Sequence, residues 1–205
     1  MFMKWVLIFI LNISAFSQSD PCFYFQQQTK EKLTVISSKI EALDKPFYLS
    51  KKELLSIVVP EYIMYSISMN DLEVILVKSN LVFNNNNFDL SFGPFQMKIS
   101  FIINTLSQAP LSIINDPILL KIKNDTKAIT STQIDYLNKI ETQWKVLCLF
   151  EYCNKKIYEK YSLNGLYTVY NRGDINKKAT IFKKIKCKNS TYEEWCAEFL
   201  SGNKL

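Results

Sequence analysis

The sequence predicts a mainly helical single domain with a small extended insert. Three observations predict it. Apolar residues recur at three- and four-residue spacing in several separate stretches of the 205 residues. One short stretch, Phe88, Leu90 and Phe92, alternates instead with polar residues, the two-residue period of a strand. No internal repeat interrupts the chain, and no linker is long enough to separate a second domain from the first.

The chain opens on a segment that reads as a signal peptide, residues 1–17. Lys4 supplies a positive charge, Trp5 to Leu11 form an uncharged apolar run, and Ala15 and Ser17 supply the small residues of a cleavage site. That run is short for a span of about 20 residues, and no later segment is apolar for long enough to cross a bilayer. The expected location is therefore secreted or periplasmic. Residues 18–205 form the expected domain.

Asp20 to Gln28 reads as irregular. Lys30 to Leu43 reads as an amphipathic helix, with Leu33, Ile36, Ile40 and Leu43 on one face. Ser50 is a good N-cap for the next helix, and Glu53 completes a capping box. Leu54, Leu55, Val58, Val59, Tyr62 and Ile63 form its apolar face. Pro60 removes a backbone donor and frees the Ser56 carbonyl, so the helix should kink or end there. Asn70 to Phe83 reads as helical with Leu72, Ile75, Leu76 and Ser79 inward, and Asn84 to Asn87 as a turn. Gly93-Pro94 ends the extended segment. Pro94 is expected in the first turn of a helix carrying Phe95 to Leu106. Ala109 to Asp125 has no clear pattern, whereas Thr132 to Phe150, Leu163 to Tyr170 and Thr191 to Leu200 read as helices.

Composition bounds the chemistry. With 48% apolar and 14% aromatic residues, disorder is not expected. Removing Lys4 with the signal lowers the formal charge from +6 to +5, a mildly basic balance suited to an anionic polymer. The complete lack of histidine excludes Ser-His-Asp and Cys-His catalysis and the His-Glu-x-x-His metalloproteases. Five cysteines, Cys22, Cys148, Cys153, Cys187 and Cys196, fit no usual zinc spacing. In an exported chain, disulfides are permissible; Cys148 with Cys153 and Cys187 with Cys196 are the local pairings, and crossed pairings are equally allowed. Asp20-Pro21 before Cys22 is a poor match to a lipoprotein signal.

Only four glycines occur, and two close short motifs: Ser91-Phe92-Gly93-Pro94-Phe95-Gln96-Met97 and Tyr167-Thr168-Val169-Tyr170-Asn171-Arg172-Gly173. Upstream, Glu61 borders the apolar face of its helix. A carboxylate there is partly desolvated, which favours the protonated form that a general acid needs. The alternative for Glu61 is a rim residue facing water. A tight turn at Gly93 would set the Gln96 amide where it can bond sugar hydroxyls and acetamido groups, unless it is an ordinary connection. Tyr170 could stack on a sugar or orient the acid, or be core, and Gly173 fits a C-terminal cap. Asp71, Glu73 and Asp89 are candidates for a second carboxylate, with Asp89 in the extended insert.

Together, Glu61, Gly93-Pro94-Phe95-Gln96 and Tyr170-Asn171-Arg172-Gly173 resemble the lysozyme-like superfamily, in its soluble lytic transglycosylase and goose-type lysozyme branch. Ile57 to Phe101 also resembles a lysozyme-like group of secreted Bacteroidetes proteins. The resemblance covers motif positions from Leu54 to Gly173 and implies a lysozyme-like α+β domain. It departs where Tyr62 follows the glutamate in place of serine, where the gap from Glu61 to Gln96 is longer, and where Val169 replaces alanine.

The resemblance implies cleavage of the β-1,4 bond between N-acetylmuramic acid and N-acetylglucosamine, with Glu61 as catalytic acid and then base. Ser91, Gly93, Gln96, Met97, Tyr170 and Asn171 would bind substrate. Asp89 would serve as second carboxylate if water, rather than the muramyl 6-hydroxyl, attacks. Peptidoglycan glycan strands are the implied partner. No metal, cofactor, nucleic acid or stable membrane insertion after signal cleavage is expected, and oligomeric state is open. A non-catalytic peptidoglycan-binding or envelope-assembly protein on the same fold is the alternative.

Overall fold

The computed structural model of the chain describes residues 21–64, 67–82, 90–126, 129–173, 181–182 and 190–201. The expected signal peptide, the Asn84 to Asn87 turn, Phe88, Asp89 and Cys187 lie outside them. The described elements are α1 (Pro21–Glu41), α2 (Lys51–Ser56), α3 (Val59–Met64), α4 (Ile67–Val82), β1 (Ser91–Phe92), β2 (Met97–Lys98) and α5 (Ile99–Gln108). A 3-10 turn at Leu111–Ile113 leads into α6 (Pro117–Asn124), α7 (Ser131–Leu137), α8 (Ile140–Cys153) and α9 (Lys155–Arg172). β3 (Ile181–Phe182), β4 (Ser190–Thr191) and α10 (Tyr192–Ser201) follow. The protein is mainly helical, and among the described residues the strands form two short antiparallel pairs, β1 with β2 and β3 with β4.

α8 is the central helix. Trp144, Val146, Leu147, Leu149 and Phe150 are buried, and so are its polar residues Thr142, Gln143 and Glu151. A helix buried almost all round needs each polar side chain to find a partner. Glu151 accepts hydrogen bonds from the backbone N–H groups of Phe47, Tyr48 and Leu49. The Trp144 indole donates to the Asp44 carbonyl at 2.8 Å. The segment before α2 is thus fastened to the core by side chains about a hundred residues away.

The capping box at Ser50 and Glu53 forms as expected. The break at Pro60 also forms. Ile57 and Val58 close tight turns onto Leu54 and Leu55, and Pro60 falls in the first turn of α3, where its missing N–H costs nothing. The expected single helix is therefore two, although all six of its apolar residues are buried. α2 is tied to α9 where the Ser56 and Tyr167 hydroxyls meet at 2.8 Å. Burial pushes the Tyr167 phenol up to about 12.

Several expectations are corrected. Pro21 to Gln28 is not irregular but lies within α1, and its three glutamines favour helix; Asp20 lies outside the described residues. α4 is rotated from the expected face. Val74 and Val77 are buried, whereas Leu72, Ile75 and Leu76 are more than half exposed. Val74 to Val77 is an unbroken apolar run, so periodicity defines no unique face there. Lys78 pairs with Asp135 of α7 at 2.6 Å, an orienting contact that an apolar count misses.

Pro94 does not begin a helix. Gly93 to Gln96 is the turn of the β1–β2 hairpin, with Phe92 opposite Met97, and α5 starts at Ile99. Proline is equally suited to the second position of a β-turn. Thr132 to Phe150 is two helices, α7 and α8, and α7 carries a capping box of Thr130 with Gln133. Leu163 to Tyr170 belongs to the longer α9, which is interrupted at Ser162 (φ 55°, ψ −156°).

Cys148 and Cys153 are both thiols, so the first local disulfide does not form; the second would involve Cys187, which lies outside the described residues. Cys148 and Cys153 lie five residues apart on α8, which points their side chains to different sides of one helix. Among the described residues no helix is long and apolar enough to cross a membrane.

Candidate functional site

Phe92 and Phe95, both fully buried, anchor the hairpin in the core. Between them Gly93 takes a left-handed conformation (φ 78°), and Gln96 does the same (φ 51°). The Gln96 N–H donates to the Gly93 carbonyl at 2.9 Å and closes the turn. Gln143 reaches into this turn from α8. Its Nε2 donates to the Phe92 carbonyl at 2.9 Å, and its Oε1 accepts from the Phe95 N–H at 2.8 Å. One amide side chain thereby satisfies two backbone groups that no strand pairs, a burial that would otherwise cost about 1–3 kcal/mol for each group.

The hairpin forms one wall of a cleft of about 500 Å³. Glu61 of α3, Ser91, Gln96 and Met97 of the hairpin, and Tyr170 and Asn171 of α9 all line it. Three segments far apart in sequence thus converge. Lys98, Ser100, Phe101, Asn104 and Gly173 complete the lining. Sequence reasoning did not single out the α5 residues, although Ser100 and Asn104 stand four apart on one helix face.

Gly93 does not line the cleft. It is buried and backed by the Gln143 amide, so its expected contact with substrate is replaced by a structural role. Met97 lines the floor but is only 1% exposed, leaving little side chain for a ligand to touch. Asp71 is exposed, and Asp89 lies outside the described residues.

The Gln96 amide is fully oriented by its neighbours. Its Nε2 donates to Glu73 Oε2 at 2.8 Å and to the Gly93 carbonyl at 3.1 Å. Its Oε1 accepts from the Ser91 hydroxyl at 3.2 Å. Both N–H donors are engaged, so a ligand meets Gln96 as an acceptor through the second lone pair of Oε1. Glu73, one of three carboxylates considered for a second catalytic role, instead holds this amide. Its spacing gives no sign of the contact, because α4 is rotated from the face that periodicity suggests.

Tyr170 ties α9 to the turn. Its hydroxyl donates to the Phe95 carbonyl at 2.6 Å. Its ring meets Phe101 and Phe150 edge-on at 5.1 and 5.9 Å. A ring so engaged serves as a wall rather than as an open stacking platform. Burial, and after it the negative charge of Glu61, push the phenol well above its ordinary value, so it stays protonated.

No family model matches the chain, and no curated protein or solved structure is significantly similar to it. Glu61 is half-buried in the first turn of a six-residue helix, just after a break, whereas the resembled enzymes end a helix on their glutamate. Gly173 closes α9 with a left-handed cap (φ 73°) and an N–H bond to Val169 at 2.7 Å. A Cβ there would meet nothing, so only its backbone conformation asks for glycine. Among the described residues no group of three or more Cys, Asp or Glu could hold a metal ion.

Proposed function

We propose that this protein cleaves peptidoglycan, as a lytic transglycosylase with Glu61 as general acid and then base. The observation that supports the reading is the convergence of Glu61, Gln96, Tyr170 and Asn171 on one cleft. Residues that met only by chance in the sequence would have no reason to share it.

In this reading the glycan lies along the hairpin wall. Gln96 accepts a hydrogen bond from an acetamido N–H or a hydroxyl, while Asn171, Ser100 and Asn104 supply further polar contacts. Glu61 protonates the glycosidic oxygen of the leaving N-acetylglucosamine. The resulting carboxylate then takes the proton of the muramyl 6-hydroxyl, whose oxygen attacks the anomeric carbon and yields a 1,6-anhydro product. One carboxylate serves both steps. The carboxylate that stands nearest to this machinery through a hydrogen bond, Glu73, is engaged by Gln96. That favours the transglycosylase over a hydrolase with a second carboxylate.

A non-catalytic peptidoglycan binder is the second reading. It is favoured by the position of Glu61 after a helix break and by Tyr62 where the resembled enzymes have serine. Incubation of the full chain with peptidoglycan, followed by mass spectrometry of the soluble products, separates the readings. Anhydro-muropeptides that disappear in Glu61→Gln support the transglycosylase. Reducing-end products support a hydrolase. Binding without products supports the binder.

A further inference from the structure

A second cavity, of about 530 Å³, lies between the segment before α2, the segment before α6 and the central helix α8. Its size is that of a small-molecule site. Ile113, Ile114, Leu119 and Leu149 give it an apolar floor, and Phe47 forms one wall. Phe47 is 45% exposed, yet it is not loose. Its backbone N–H donates at 3.0 Å to Glu151, a carboxylate 1% exposed, which also accepts from the next two N–H groups. Tyr152 packs edge-on against the Phe47 ring at 5.0 Å, and Lys155 lies over Tyr48 at 4.8 Å. The backbone that carries this exposed ring is thus anchored and the ring is packed along one edge at the mouth of a cavity, which lowers the entropic cost of binding to it.

The polar groups of the cavity alternate in sign. Asp44 and Asp116 carry negative charge, Lys45 and Lys145 positive charge, and Asn115 adds an amide. Asp116 is satisfied internally, by the N–H groups of Ile118 and Leu119, the Tyr136 hydroxyl and Lys145. Its bond to Lys145, 2.8 Å long, fixes that ammonium while leaving other N–H donors on it. Two charges of each sign favour neither an anion nor a cation. The lining suits a neutral ligand that offers both hydroxyl donors and acceptors and presents an apolar face to Phe47. A pyranose ring meets all three conditions.

We infer that this cavity is a second saccharide-binding site, with Phe47 as its stacking ring and Asp44, Lys45, Asn115 and Lys145 as its hydrogen-bonding rim. It is separate from the Glu61 cleft, since the two share no lining residue. It does not rest on what that cleft does. α8 stands behind both. Leu149 lines the cavity, and its neighbour Phe150 packs against Phe101 and Tyr170 of the cleft.

Saturation-transfer NMR and calorimetry with triacetylchitotriose test the inference, using the full Glu61→Gln chain so that no probe is consumed. The expected result is binding that weakens roughly tenfold in Phe47→Ala, the loss of one aromatic contact. Lys45→Ala should weaken the same event. Gln96→Ala should leave it intact and affect only binding in the first cleft. Both Phe47 and Lys45 are exposed, so these variants should fold. Chitotriose binding indifferent to Phe47 and Lys45 would overturn the inference, as would no binding outside the first cleft. Phe47-dependent binding with a catalytically inert first cleft would uphold it while removing the proposed enzyme.

Discussion

Gln143 fills the space that a side chain at Gly93 would need: a Cβ on Gly93 would lie 2.8 Å from Cδ of the Gln143 amide. The hairpin turn and the central helix therefore specify each other. Gly93→Ala must adopt a left-handed backbone and push Gln143 out of its two hydrogen bonds. The expected loss is about 3 kcal/mol, roughly 1 from the backbone and 2 from stranded polar groups. Urea denaturation of the two proteins measures it.

Gln143→Leu tests the same relationship from the other side. It keeps the volume approximately but leaves the Phe92 carbonyl and Phe95 N–H without partners. A destabilisation of about 2 kcal/mol is expected. Gln143→Glu should recover only the bond from Phe95, and chemical-shift changes should concentrate on the hairpin.

The first of these contacts shows where the sequence stops being legible. Ser50 and Glu53 are three residues apart, and their capping box could be read directly. Gln143 and Phe92 are 51 residues apart, and nothing local marks a buried glutamine as a turn clamp. Pro94 suits both a helix start and a turn, so local chemistry does not choose between them. Valines and leucines crowd α4, and its orientation is decided by tertiary partners such as the Lys78–Asp135 pair. The cleft itself was more legible, because Glu61, Gln96, Tyr170 and Asn171 could be picked out by type and order. The roles of Gly93 and Tyr170 were not, since their partners come from α8, α5 and the turn.

Glu61→Gln should reduce peptidoglycan cleavage by at least about a hundredfold, the usual contribution of a general acid. The substituted amide has nearly the same shape, so the melting temperature should change little. Pull-down on insoluble peptidoglycan should show binding retained. Equal cleavage by the two proteins would remove Glu61 from the mechanism.

Glu73→Ala should release the Gln96 amide and let it rotate. The expected effect is an increase in KM of about tenfold with a smaller change in kcat, because one oriented hydrogen bond to substrate is lost. Glu73→Gln can still accept from Gln96 and should fall between the two. An unchanged KM in both variants would mean that Gln96 does not touch substrate.

Asp116 makes stability depend on pH. Burial alone would raise its pKa. Hydrogen bonds from Lys145, Tyr136 and the Leu119 N–H outweigh burial and hold it below its ordinary value. A carboxyl depressed in the folded state stabilises fully above its unfolded pKa of 3.8 and loses that contribution as pH falls through the folded value. Thermal melts of the wild type and Asp116→Asn from pH 5 to pH 2 should therefore converge as acid is added. A constant gap across this range would show that Asp116 acts through shape alone.

Burial drives the Cys148 thiol far above its ordinary pKa, and it raises that of Cys153 as well. A thiol is a poor nucleophile until it ionises, so the buried Cys148 is shielded twice over while the core is closed. An alkylating reagent added to the native protein should find Cys148 inert and should label it at the rate at which α8 comes apart. The chain thus carries its own clock for unfolding, readable by mass alone and without an introduced dye.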